Sequence, residues 1–175
     1  MVTVKNIKKL MKLFCLAFSL VLVLSACGNS SYNDRSLILS DEDSYTYQKC
    51  VDTGSTDTSL KRDFQGFNGK DTIWMLDAAE DASISLDLSA NLSSGKFKVL
   101  IVSEDNDITT LLEGDDTQNT SVDLDNGTAR IILVGDHASG SCEITLSEIN
   151  NVRVTSPSGD LDSEEWINDF FDDWM

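Results

Sequence analysis

The chain has 175 residues, 30 of them acidic and 13 basic, for a net charge of −17, with one His, one Pro and four Cys. So large an excess of carboxylates excludes a protein that tracks a nucleic-acid backbone, whose phosphates would repel it. A lone His leaves little room for imidazole catalysis or a His-rich metal site.

Residues 1–26 carry Lys5, Lys8, Lys9 and Lys12, no acid, and an apolar run from Leu13 to Leu24. The run is too short to cross a bilayer comfortably, and positive charge followed by an apolar stretch is the layout of an export signal. It ends in Leu24-Ser25-Ala26-Cys27. These four residues resemble the lipobox of bacterial lipoproteins: an aliphatic residue, two small ones, then cysteine. The resemblance implies that the Cys27 thiol takes a diacylglycerol group, that small Ser25 and Ala26 let a peptidase reach the preceding bond, and that acylated Cys27 starts the mature chain. It also implies a lipid-anchored place on the exported face of a cell membrane. Two acyl chains, at about 0.8 kcal/mol per buried CH₂, hold a soluble body on a bilayer where one does not. Removing residues 1–26 leaves nine basic against 30 acidic residues over 149 positions, a net of −21. An exported body so charged is repelled by anionic headgroups and wall polymers and attracted to cationic partners.

From Gly28 to Asp34 the residues are small and polar, the composition of a flexible tether, so residues 27–44 are read as lipidated Cys27 plus tether. Residues 45–154 then show short β-branched runs separated by Gly, Asn, Asp and Ser at the intervals of a sandwich or barrel. Ile84, Leu86 and Leu88 alternate with Ser85, Asp87 and Ser89, and Val122 and Leu124 with Ser121 and Asp123, as in strands with one wet face and one dry. Phe97 to Val102 and Ala129 to Val134 are apolar almost throughout, which predicts central strands covered on both faces. Turn chemistry falls at Leu92–Gly95, Glu104–Asp107, Asp125–Gly127 and Asp136–Gly140. Strand centres near Tyr47, Leu60, Trp74, Leu86, Leu100, Leu111, Val122 and Ile132, with a ninth at Ile144, predict an all-β, antiparallel β-sandwich of eight or nine strands. The run order from Phe64-Gln65-Gly66-Phe67 through Trp74 and Gly95–Val102 to Gly140–Ile144 resembles small jelly-roll domains appended to bacterial surface proteins, carbohydrate-binding modules and secreted-peptidase appendages among them. The likeness implies a fold and no function.

The last stretch, residues 155–175, reads as a Thr155–Gly159 linker and an acidic amphipathic helix. Trp166, Ile167, Phe170, Phe171 and Trp174 recur on one helical face, and Asp162 with Glu165 opens it like a capping box. So short a helix needs a surface to lie on: its own sheet, or a groove on a protein partner.

After export the cysteines besides Cys27 are Cys50 and Cys142. First and last strands often adjoin in jelly rolls, so the two are read either as a disulfide or as two separate buried thiols. His137 sits in a turn with no partner spaced for catalysis, and Ser93-Ser94-Gly95-Lys96 copies the Ser-x-x-Lys of penicillin-recognising enzymes but bends between strands where that motif opens a helix. Acids at Asp41-Glu42-Asp43, Asp105 with Asp107, Asp115-Asp116 and Asp123 with Asp125 have the donor chemistry for calcium, yet none follows the twelve-residue calcium loop. Nothing singles out a carboxylate pair for glycoside hydrolysis. The expectation is therefore no enzyme, no catalytic residue, no metal and no cofactor beyond the fatty acyl groups on Cys27. Trp74 alternates with Leu76 as core, which leaves Tyr32, Tyr45 and Tyr47 as the aromatic planes for a sugar.

Two functions follow. The first is a non-enzymatic surface lipoprotein whose tail helix contacts a protein partner; the alternative is a carbohydrate- or cell-wall-binding accessory domain. Cys27→Ala should move the protein from the membrane fraction into the medium, uncleaved or cleaved elsewhere, in a fractionation with acyl labelling. Retention on the membrane without label would refute the anchor.

Overall fold

The computed structural model describes residues 31–157, and eight antiparallel strands dominate them. They are β1 (Ser44–Thr46), β2 (Lys49–Asp52), β3 (Ser59–Ala78), β4 (Ala82–Ser103), β5 (Ile108–Glu113), β6 (Thr117–Leu124), β7 (Gly127–Ser147) and β8 (Val152–Thr155). A 3₁₀ turn, Ser31–Asn33, and a short helix α1, Arg35–Leu39, precede them.

β3, β4 and β7 run for 20, 22 and 21 residues, well beyond the ordinary strand of about 3–10 residues. Each bends midway. Register slips between Phe64 and Gly69 of β3, and between Leu92 and Lys96 of β4 opposite Asp136–Gly140 of β7. Before its bend β3 pairs with β2 and with the second arm of β7; that arm pairs with the first arm of β4, which pairs with β6. Past the bend β3 pairs with β1, β8 and the first arm of β7, followed by the second arm of β4 and then β5. The result is two layers, β2-β3-β7-β4-β6 and β3-β7-β4-β5, with all three long strands crossing between them. That wrapped order is a jelly roll.

Two glycines show why the bends sit where they do. Gly69 (φ +113°) and Gly140 (φ +153°) lie where a Cβ would stand 2.0 Å from the Ser44 carbonyl oxygen and 2.1 Å from that of Asn91. Only hydrogen in place of a side chain permits the approach.

The inner faces meet in one core, Phe64, Leu86 and Ile144 from the first layer with Trp74, Val99 and Ile131 from the second. Ile84, Leu86 and Leu88 are buried while Asp87 is exposed, so the first layer has one wet face. The second layer is apolar on both. Its outer side chains Leu100, Val102, Ile132 and Val134 pack beneath Tyr32 and Ile38 of the amino-terminal segment. Asp34 caps α1, accepting from the N–H groups of Ser36 at 2.9 Å and Leu37 at 3.4 Å. The Tyr32 hydroxyl lies 3.1 Å from the Phe97 carbonyl and 3.0 Å from the Glu113 carboxylate, and the Lys98 ammonium sits 4.2 Å from its ring centroid. Lys70 and Arg130 both donate to the Ser40 carbonyl, at 2.6 and 2.7 Å.

Three sequence expectations change. The segment from Tyr32 to Ser40, read as tether or domain edge, is a packed cover; one aromatic and one isoleucine outweigh the polar composition around them. The nine strand centres are arms of fewer strands: Leu60 with Trp74, Leu86 with Leu100, and Ile132 with Ile144 each share one bent strand. Leu92–Gly95 and Asp136–Gly140 accordingly lie inside β4 and β7, whereas Glu104–Asp107 and Asp125–Gly127 do reverse the chain. Gly, Ser and Asp serve a bulge as well as a reversal, so residue type could not separate the two. The short strand β8 was missed.

Gly140→Ala should cost about 2 kcal/mol or more in urea unfolding, through backbone strain and the clash with Asn91. Gly54→Ala, where nothing stands within 4 Å, should change stability by less than about 0.5 kcal/mol.

Candidate functional site

Four connections, 79–81, 104–107, 125–126 and 148–151, gather at the end of the sandwich away from the bends. Here the layers part over a cleft of about 380 Å³, within the range of small-ligand sites. Leu76, Ala78, Ile101, Leu124 and Ala129 make an aliphatic floor, and Glu104, Asp105, Asp107, Asp123 and Asp125 stand around it with Asn126, Thr109 and Thr128; no Lys, Arg or His lines it. The loops are pinned to one another. Glu104 accepts from the Thr128 N–H at 3.1 Å, and Asn126 donates through its backbone N–H to Asp81 at 3.1 Å and through Nδ2 to the Ala79 carbonyl at 2.9 Å. Acceptors outnumber donors around the rim, so the cleft suits a ligand that brings O–H or N–H groups or positive charge.

The fold thus joins two of the acidic pairs seen in sequence, Asp105 with Asp107 and Asp123 with Asp125. Asp115 and Asp116 are elsewhere, in an open groove on the wet face of the first layer with Lys61, Asp63 and Glu143. Asp41 and Asp43 are engaged locally, 3.2 Å from Arg130 and 3.4 Å from Lys70, and Asp43 also accepts from the Thr72 N–H at 3.1 Å and hydroxyl at 2.7 Å. Among the described residues no three His, Cys, Asp or Glu side chains converge on a metal position.

A second polar cluster joins the layers near their β2 edge. Arg62 shares the inward parity of Leu60 and Phe64 and forks between Asp52, at 2.6 and 2.8 Å, and Asp71 on the opposite layer, at 2.7 Å; Tyr47 donates to the same Asp71 oxygen at 2.8 Å. Burial lifts the Asp71 carboxyl above its ordinary range, against the pull of Tyr47 and Arg62, and burial likewise pushes the Tyr47 hydroxyl up. With both Arg62 arms occupied, the cluster staples layer to layer and leaves no free cation for a ligand. Sequence reading missed it. Its signal was a charge at an inward position of an alternating run.

Cys50 and Cys142 are both free. Cys50 pairs with Phe64 and Cys142 with Arg62 from opposite sides of β3, which separates them by two strand spacings, about 10 Å. A disulfide spans about 4.4–6.8 Å between Cα atoms, so of the two readings the structure has separate thiols, with Cys50 exposed and only Cys142 buried. Burial pushes the Cys142 thiol up to about 12. His137 is exposed at the β7 bend, 2.7 Å from Asp136, and Ser93–Lys96 lie within β4, with no helix for a Ser-x-x-Lys site. Of the three tyrosines considered as sugar platforms, Tyr32 is buried and Tyr47 stacks on Phe67 at 4.5 Å, leaving Tyr45 alone with an open face. Leu24, Ser25, Ala26 and Cys27, and the tail residues Trp166, Ile167, Phe170, Phe171 and Trp174, lie outside the described residues.

No family model matches the chain, and no curated protein does. Solved structures with some likeness include a family 35 carbohydrate binding module from an environmental isolate, at 18% identity and TM-score 0.34, covering 68% of this chain and 86% of that one. A second family 35 module, in complex with a glucuronic acid containing disaccharide, matches at 14% identity and TM-score 0.35 over 66% and 84% of the two chains. A family 29 carbohydrate binding module variant matches at 16% identity and TM-score 0.35 over 67% and 79%. None superposes closely enough to carry a ligand or a residue role across.

Arg62→Ala strands the buried Asp71 carboxylate and should cost about 3–5 kcal/mol near neutral pH. Asp71 has its folded pKa raised above 3.8. It therefore favours the fold most below that value and gives the advantage up as pH rises through the folded pKa. Without Arg62 the penalty for ionised Asp71 is larger, so the gap between wild type and variant should narrow as pH falls from 7 toward 4 in parallel urea titrations; a constant gap would contradict the staple.

Proposed function

We propose that the chain is a non-enzymatic binding module, held on the exported face of a membrane by diacylglycerol on Cys27, and that it takes a saccharide in the end cleft. The observation that carries this reading is the make-up of the cleft: carboxylate, amide and hydroxyl side chains over an aliphatic floor, with no cationic side chain among them. Sugar hydroxyls, or the amine of an amino sugar, would donate to the aspartates while the apolar face of the ring covers the half-buried Val122 at the edge of the floor. The absence of an aromatic plane in the lining points to modest affinity.

A second reading keeps a protein partner for the tail, and one feature of the surface favours it over docking at home. Among the described residues the exposed large hydrophobic side chains are Tyr45 and Val51 alone. That is little surface for a stripe of five large apolar residues, so the Trp166–Trp174 face is read as the contact for another molecule.

The two readings separate in one experiment on the mature lipoprotein. In calorimetric titration with neutral and amine-bearing oligosaccharides, Asp123→Asn with Asp125→Asn should weaken binding about tenfold or more, equivalent to about 1.4 kcal/mol. Deleting residues 160–175 should leave it unchanged. If no oligosaccharide binds and the deletion instead removes a co-purifying envelope protein, the saccharide reading gives way to the partner reading.

A further inference from the structure

We infer that the bend end of the sandwich faces the lipid surface and that the acid-rimmed cleft opens away from it, an orientation that rests on the proposed anchor at Cys27. The cause is a short leash fixed at that end. Tyr32 is 3% exposed and is clamped at the bend end of the second layer by Phe97, Glu113 and Lys98. From Cys27 to Ser31, the first described residue, there are four Cα steps, a reach of at most about 14 Å. Along β4 from Phe97, where Tyr32 is held, to Ser103 at the cleft, six residues span about 20 Å. The lipid can thus lie near the bends but cannot reach round to the cleft.

The segment between these points is fixed to the sheet rather than free to pay out more chain. Ile38 is buried against the outer face of the second layer, and Arg130 and Lys70 hold the Ser40 carbonyl. Peeling it away would expose the apolar surfaces of Tyr32 and Ile38 together and would uncover the Leu100 and Ile132 face as well.

Charge acts in the same direction. The four connections at the cleft end hold seven carboxylates and no Lys, Arg or His of their own, although Arg35 donates to the Asn106 carbonyl at 2.9 Å and Arg153 stands opposite Asp77. Around the bends Glu113, Asp115, Asp116 and Asp136 are offset by Lys49, Lys96 and Lys98. An anionic leaflet therefore repels the cleft end more strongly. The arrangement presents the cleft outward, where a ligand arriving from outside the cell meets it first.

The test uses the acylated full mature protein with Cys50→Ser, so that a fluorophore can be placed on Ser94→Cys at the bend end or on Asn150→Cys at the cleft end. Cys142 is buried and stays unlabelled under native conditions. The protein is reconstituted in vesicles of phosphatidylcholine and phosphatidylglycerol containing a lipid with a nitroxide headgroup. Position 94 should be quenched several-fold more than position 150. Inserting about sixteen Gly and Ser residues after Ser30, with an r.m.s. span of about 20 Å, should erase most of the difference. Equal quenching in protein that floats with the vesicles would overturn the orientation while leaving the anchor intact. Protein that neither floats nor carries acyl mass would overturn the anchor, and the orientation with it.

Discussion

Three strands must each serve two sheets, and this constraint shapes everything else in the domain. Because β3, β4 and β7 continue through their bends, the two layers share a backbone and cannot slide independently. Pairing in one layer sets the register in the other. The bends need close backbone approach, which glycine supplies at Gly69 and Gly140, and the doubled strands bring the connections 79–81, 104–107, 125–126 and 148–151 to one end. The cleft is a consequence of that gathering.

The two layers solve their outer faces differently. In the first, small polar side chains alternate outward into water. In the second, Leu100, Val102, Ile132 and Val134 point outward and would form an exposed apolar patch; the Tyr32–Leu39 segment removes it. The cover is held by polar contacts at both ends, Tyr32 at Phe97 and Glu113 and the Ser40 carbonyl at Lys70 and Arg130. Burying Lys70 at 1% exposure is tolerable because its ammonium has the Ser40 carbonyl and Asp43 to bond. The Arg62 fork applies the same rule between the layers, where a charge directed inward is satisfied on both arms.

Much of the fold was legible from local pattern. Alternation at Ile84–Ser89 set the wet and dry faces of the first layer, and unbroken apolar runs at Phe97–Val102 and Ala129–Val134 marked a layer covered on both sides. What covered it was hidden, since the cover, Tyr32–Ser40, is nine residues of which five are polar, too short a stretch for its apolar members to make a pattern. Bends were indistinguishable from reversals because the same small and acidic residues make both. For the site, the acidic pairs at Asp105–Asp107 and Asp123–Asp125 were visible one by one, while their convergence was not.

The strand-building character of residues 45–154, the strongly negative charge, the amphipathic pattern of the tail and the leader-like pattern before Cys27 can all be read from the chain before it folds, because each is a property of neighbours in sequence or of total composition. That β3 separates Cys50 from Cys142, that Arg62 meets Asp71, and that the acid-bearing loops share one end emerges with the folded sandwich. Those facts depend on the order in which strands pair. Pairing order is set by how one core can be filled by all the arms at once, and no local window of residues contains that information.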